Sequence, residues 1–278
     1  MAELSILAGD GVRLHAEVHG EGVPVLLSPG YCQTHENFRP QVEPLVAAGH
    51  RVVLWDYRGH GRSEAPADPA AYSMERVVDD LGRVLEAAAP GRRAVVGGLS
   101  FGGLAALHFA LAHPERVAAL LLLASGPGFK KREAQAGWEA QMGRIANRLE
   151  KVGLAGYAFG RGAPTAIGLR SELPAAQAAG RAIEAQQPHG LALFGRRIAG
   201  PVPGVIERLA GIQAPALVLV GALDGAYMRA AQVMAARLPC ARHVVIPEAG
   251  HVLNIEQAAA VNREILAFLE EALGAGPS

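Results

Sequence analysis

Three residues that together can make a serine nucleophile stand where strands are expected to end. Ser100 lies in Gly98-Leu99-Ser100-Phe101-Gly102, a G-x-S-x-G pattern. An apolar run (Ala94, Val95, Val96) precedes it and a helix-forming run (Leu104 to Ala112) follows it. Composition alone would produce roughly 0.1 such patterns in a chain this rich in glycine, so the context must carry the reading. A serine between strand and helix projects its hydroxyl from the end of a sheet. Flanking glycines relieve crowding there, and the following helix N-terminus favours nearby negative charge. A hydroxyl is a weak nucleophile and needs a base, usually histidine, whose tautomer a carboxylate holds. His251 follows the run Arg242 to Ile246 in the loop Pro247-Glu248-Ala249-Gly250-His251. Asp224 follows Val218-Leu219-Val220 through Gly221-Ala222-Leu223, with Glu248 the rival acid. Ser125 and Gly126, after the run Val117 to Leu123, offer no carboxylate.

The elements that must position these residues are legible as alternating runs. Leu4 to Leu7 and Arg13 to Val18 flank Gly9-Asp10-Gly11, a hairpin signal. Val23 to Leu27 reads as a strand ending in Ser28-Pro29-Gly30, and a helix is predicted over Phe38 to Ala48, stopped by Gly49. Arg51 to Trp55 is strand-like and breaks into the Gly-punctuated turn Asp56 to Ser63. Ser73 caps a helix to Ala89. Strand Ala94 to Val96, helix Leu104 to Ala112 and strand Val117 to Leu123 follow. After Ser125 the rhythm breaks: Lys130 to Val152 and Pro174 to Gln187 look helical, and Gly153 to Gly168 irregular. The rhythm returns with strand Ala216 to Val220, helix Ala226 to Arg237, strand Arg242 to Ile246 and a helix from Ile255 to Leu273. This alternation implies an α/β fold: a mostly parallel, eight-stranded sheet covered on both faces. Residues 128–207 are expected to form a helical lid, and 1–127 with 208–278 the core domain.

Composition narrows the function classes. The chain has 278 residues, half of them apolar, under a fifth charged, and a formal net charge of zero. It shows no basic stripe with interleaved aromatics, so nucleic acid is not an expected partner. No apolar run approaches the roughly 20 residues of a membrane span, and no basic residue precedes Arg13 as a secretory signal would require. Cys32 and Cys240 are too few and too far apart for a disulfide framework, which suggests a cytoplasmic setting. His108 and His113, five apart, do not share a helix face, so no metal is expected, and no cofactor motif appears. Cys32 reads as a small packed residue, and His35 as a pocket-lining or solvated loop residue.

The chain resembles the α/β-hydrolase superfamily, in particular its lid-bearing serine hydrolases. The likeness rests on Ser28-Pro29-Gly30-Tyr31, on Asp56-Tyr57-Arg58-Gly59-His60-Gly61-Arg62-Ser63, on Gly98 to Gly103, on Gly221 to Asp224 and on Gly250-His251. The order Ser100, Asp224, His251 is also that family's order. The resemblance implies an oxyanion hole from the backbone N–H groups of Phe101 and Tyr31. One departure is Pro29-Gly30, where the family usually has His-Gly. What it implies is a carboxylic ester hydrolase working through an acyl-enzyme, with a small-molecule ester or lactone and water as reactants. An enol-lactonase, a C–C bond hydrolase and a slow-turnover small-molecule receptor are the alternatives. Epoxide hydrolase and dehalogenase chemistry is disfavoured, because those relatives place Asp where this chain has Ser100. Gly30, Trp138, Phe159 and Phe194 are candidate substrate contacts, with the arginines of 128–207 read as a solvated face or as a grip for an acidic substrate.

Overall fold

The computed structural model describes residues 1–274. Eight strands form one sheet: β1 (Ala2–Leu7), β2 (Arg13–His19), β3 (Val23–Ser28), β4 (His50–Trp55), β5 (Ala94–Leu99), β6 (Val117–Leu123), β7 (Ala216–Gly221) and β8 (Ala241–Ile246). Their order is β1-β2-β4-β3-β5-β6-β7-β8. β1 pairs antiparallel with β2, as the Gly9-Asp10-Gly11 turn requires, β2 is also antiparallel to β4, and the rest are parallel. Parallel strands need crossovers, and helices supply them. Among the described residues there are ten: α1 (Arg39–Ala47), α2 (Met74–Ala88), α3 (Phe101–Ala112), α4 (Arg132–Val152), α5 (Ala163–Ala166), α6 (Pro174–Glu184), α7 (Pro188–Phe194), α8 (Gly225–Arg237), α9 (Leu253–Glu256) and α10 (Ala258–Gly274). Among the described residues no helix is long and apolar enough to cross a membrane.

Side chains alternate across each strand, so the sheet builds two cores. Val53, Val96, Leu120, Leu122 and Val218 face one side, against Val77 and Leu81 of α2 and Leu107 of α3. Val52, Leu54, Val95, Leu121 and Leu219 face the other, against Leu45 of α1 and Phe268 of α10. Burial on both faces explains why the central strands read as continuous apolar runs.

Register decides which loops meet. Ser28 pairs with Gly98, Leu99 with Leu123, Leu123 with Leu219, and Gly221 with Ile246. The carboxyl ends of β3, β5, β6, β7 and β8 therefore lie at one edge, where ligands of open α/β sheets bind.

Several boundaries differ from expectation. The first helix is preceded by a 3-10 turn over His35–Phe38, capped by Thr34. The last helix is broken at Gln257 into α9 and α10. Pro188 to Ala199, not anticipated as an element, forms α7 continued by a π-helical turn over Gly195–Ala199. Glycines at 190 and 195 weaken its intrinsic helix signal. Packing of Leu191, Phe194 and Ile198, all buried, overrides it.

Candidate active site

Ser100 sits at φ 55°, ψ −114°, a left-handed conformation few side chains adopt, between β5 and α3. Its amide donates to Leu123 O (2.8 Å), and Ser125 Oγ donates to its carbonyl (2.7 Å). The turn is tight enough that a methyl group at Gly98 or Gly102 would overlap Ser28 O, which explains both glycines of the motif. Such strain persists only where its surroundings fix it, and here β3 and β6 do so from either side.

His251 Nδ1 lies 2.8 Å from Asp224 Oδ2, both residues nearly buried. Asp224 ends the loop after β7 and begins α8, whereas Glu248 is exposed and not in contact with the ring. The loop carrying His251 is held by a residue that sequence reasoning missed. Glu256, 2% exposed, accepts from the amides of Gly250 (2.7 Å) and Val252 (3.1 Å), on either side of the histidine. Nothing in the residue pattern announces it, because the contact depends on α9 stopping after one turn.

Tyr227 was missed as well. It lies one helical turn after Asp224, its amide donating to Asp224 O (3.1 Å). Its hydroxyl stands 3.4 Å from Ser100 Oγ, and its ring centroid 4.7 Å from that of His251. The i,i+3 spacing from Asp224 was the available signal.

The loop after β3 approaches from the other side. A Cβ built on Gly30 would stand 3.4 Å from Ser100 Cβ. Tyr57 Oη donates to Pro29 O (3.1 Å), Gly30 N donates to Gln33 Oε1 (2.8 Å), and Cys32 N donates to His60 Nε2 (3.2 Å). Burial pulls the His60 imidazole down to about 4, which keeps that nitrogen an acceptor. The amides of Tyr31 and Phe101 are left with no acceptor among the described residues. Two free N–H donors beside a serine at a helix N-terminus can hold an oxyanion.

The segment between β6 and β7 is stitched to this loop. Tyr31 Oη donates to Leu191 O (2.9 Å), Gln33 Nε2 to the carbonyls of Thr165 and Ala166 (3.1 Å each), and Gln186 Nε2 to Cys32 O (2.9 Å). Phe194, fully buried, has ring centroids 5.1 Å from Phe101, 6.1 Å from Tyr31 and 4.5 Å from His60. Gly195 lets the Tyr31 hydroxyl pass, since a Cβ there would overlap it. The other two aromatics lie within the segment itself. Trp138 donates to Ala199 O (2.8 Å) and packs near Phe129, and Phe159, 40% exposed, covers Gly180. The segment's arginines at 144, 148, 161, 170, 181 and 197 are exposed, and Arg196 pairs with Glu150.

His35 takes another place than a pocket wall or a solvated loop. His35 is 4% exposed, its Nδ1 2.8 Å from Asp56 Oδ2 and its Nε2 3.3 Å from Glu17 Oε1. Burial opposes its charge, yet the carboxylates of Asp56, Glu17 and Glu36 raise it to about 11. Cys32 is buried, and burial pushes its thiol up to about 12, far from a reactive thiolate.

A serine on a strained turn, a buried carboxylate–imidazole pair and two free amides at one sheet edge define a hydrolase of the α/β type. The chain belongs to the α/β-hydrolase fold family, whose model matches residues 23–155. It is 33% identical over 269 residues to the putative carbamate hydrolase RutD of Variovorax paradoxus, covering 92% of this chain and 96% of that one. Among solved structures it is similar to a malate-bound thermophilic esterase from Thermogutta terrifontis, with TM-score 0.85 and 28% identity over 98% of this chain and 99% of that one. It is also similar to the enol-lactonase from Burkholderia xenovorans LB400, with TM-score 0.81 and 26% identity over 96% of this chain and 99% of the neighbour.

Proposed function

We propose that this hydrolase cleaves carboxylic esters of small molecules through an acyl-enzyme formed on Ser100. The observation that carries the reading is the 2.8 Å contact of His251 with Asp224 at the sheet edge where Ser100 is held in its strained turn. Asp224 fixes the imidazole tautomer, His251 takes the Ser100 proton and Oγ attacks the ester carbonyl. The amides of Tyr31 and Phe101 receive the developing oxyanion. His251 then protonates the leaving alcohol, and water repeats the sequence to release the acid. In this reading residues 128–207 are a lid, with Phe194 facing the acyl group beside the oxyanion donors. A serine alkoxide attacks a carbonyl, whereas epoxide opening in this superfamily uses a carboxylate nucleophile at that position, which Ser100 does not supply.

Lactones are cyclic esters and fall to the same machinery, in keeping with the structural likeness to an enol-lactonase. The relative named as a putative carbamate hydrolase makes carbamates the next class to assay. The exposed arginines of the lid favour substrates without a carboxylate to be gripped.

The test is labelling by a fluorophosphonate, with the modified peptide mapped, beside turnover of short p-nitrophenyl esters, lactones and carbamates. Ser100 is expected to carry the label. Ser100→Ala is expected to keep the fold and lose about 10⁶ in kcat, and Asp224→Asn about 10³ to 10⁴, with Glu248→Gln near wild type. A label elsewhere, or more than a few per cent of activity left in Ser100→Ala, would overturn the reading. Single rather than multiple turnover would point to a receptor.

A further inference from the structure

In the structure the hydroxyl of Ser100 is met by a tyrosine rather than by the histidine. Among the described residues Ser100 Oγ makes one hydrogen bond, to the Tyr227 hydroxyl at 3.4 Å. Tyr227 is not free to wander. It occupies the first turn of α8, its backbone bonded to Asp224, and its ring lies against His251 at 4.7 Å and 38°. The three groups Asp224, Tyr227 and His251 thus form one unit on the β7–β8 side of Ser100. The free amide of Tyr31 lies in the loop after β3, and that of Phe101 at the start of α3, next to Ser100. A tetrahedral carbon on Oγ with its oxyanion toward those amides turns its departing or arriving oxygen toward His251, and so toward Tyr227.

We propose that Tyr227 is a catalytic residue of deacylation, holding the hydrolytic water and assisting departure of Ser100 Oγ. The inference rests on the acyl-enzyme reading above. In the acyl-enzyme Oγ is an ester oxygen, a poor hydrogen-bond acceptor, so the Tyr227 oxygen is released from it. Water donates one hydrogen to His251 Nε2 and the other to the Tyr227 oxygen, which leaves a lone pair aimed at the acyl carbon. As the water oxygen bonds to that carbon, its proton passes to His251. On collapse the C–Oγ bond breaks, and Oγ takes both electrons and then the proton from His251. Meanwhile the Tyr227 O–H donates a hydrogen bond to the departing Oγ. Tyr227 keeps its own proton throughout. Burial, with the nearby Asp224 carboxylate, raises its phenol above the ordinary tyrosine value, which keeps it a donor at neutral pH.

A residue that acts after acylation has a kinetic signature that a structural residue lacks. Tyr227→Phe keeps the ring against His251 and removes only the hydroxyl. With p-nitrophenyl acetate, stopped flow reads acylation as a burst of p-nitrophenol, and intact mass of the rapidly desalted protein reads decay of the acetyl-enzyme. The expected result is a burst rate within about twofold of wild type and a decay slowed about 3- to 10-fold, as loss of one hydrogen bond implies. Where deacylation limits turnover, kcat and KM fall together and kcat/KM is preserved. Equal slowing of both phases would make Tyr227 merely structural, and no change in decay would remove it from the reaction. Either result leaves the acyl-enzyme reading standing. A wild-type protein that never gains an acetyl group would instead overturn that reading and this inference with it.

Discussion

His35 shows how far a residue's environment can depart from what its type and neighbourhood in the chain suggest. A histidine soon after a turn reads as solvated, yet it sits against three carboxylates contributed by β2, the end of β4 and its own 3-10 turn. Its consequence is a pH dependence with a definite sign. Unfolded histidine releases its proton near pH 6.5, whereas folded His35 holds it to about 11. Between those values the folded state binds one more proton than the unfolded state, so stability falls as pH rises, by at most about 1.4 kcal/mol per pH unit. Glu17 and Asp56 are held well below the ordinary carboxylate range and stay charged throughout this window. Urea midpoints for wild type and His35→Gln should therefore converge from pH 7 to pH 9. A constant gap would mean that His35 is not charged in the folded protein. The meeting of Ser100, Asp224 and His251 at one sheet edge, by contrast, was legible, because each follows a strand whose end the sheet places there. Tyr227 and Glu256 were not, because their contacts depend on which way one helical turn points and on where a short helix stops.

At the scale of elements, every strand was readable, the first two from their hairpin turn and the rest from apolar runs, with ends within a residue or two except for β5, which runs three residues further, to Leu99. The helices of 128–207 were less so. Their order depends on contacts across the site, and α7 with its π-helical turn is the clearest case. A polar tie to the β3 loop through Tyr31 Oη links the backbone of Leu191 to the residue whose amide is proposed to bind the oxyanion. Tyr31→Phe removes that bond and keeps the amide. The population of the locally opened segment should rise about fivefold, the worth of one net hydrogen bond. Trypsin should then cut at Arg144, Arg148 or Arg161 faster than in wild type, while the sheet stays intact by circular dichroism. Unchanged cleavage would show that apolar contacts alone seat the segment.

For the molecule as a whole, one buried cation joins parts that the chain keeps far apart. Arg58, 1% exposed, forms a two-pronged pair with Asp80 of α2 (both contacts 2.7 Å) and reaches Asp10 in the β1–β2 turn at 2.8 Å. Arg58→Ala leaves Asp80 buried without its partner, a change that costs about 3–5 kcal/mol. The melting temperature should fall by roughly 10 °C or more. Arg58→Leu combined with Asp80→Leu should recover much of that loss, whereas failure to recover would mean that the cation is needed for folding itself. The sheet has a different relation to the helices between β6 and β7. The chain leaves β6 at Leu123 and re-enters β7 at Ala216, on adjacent strands already registered by Leu123 against Leu219. To the scaffold, everything between is a loop with neighbouring ends, and the entropy of closing a loop grows only slowly with its length. A segment of different length and lining can thus be grafted between these two strands without re-registering the sheet, so that new selectivity is reached by exchange of one contiguous piece of the gene.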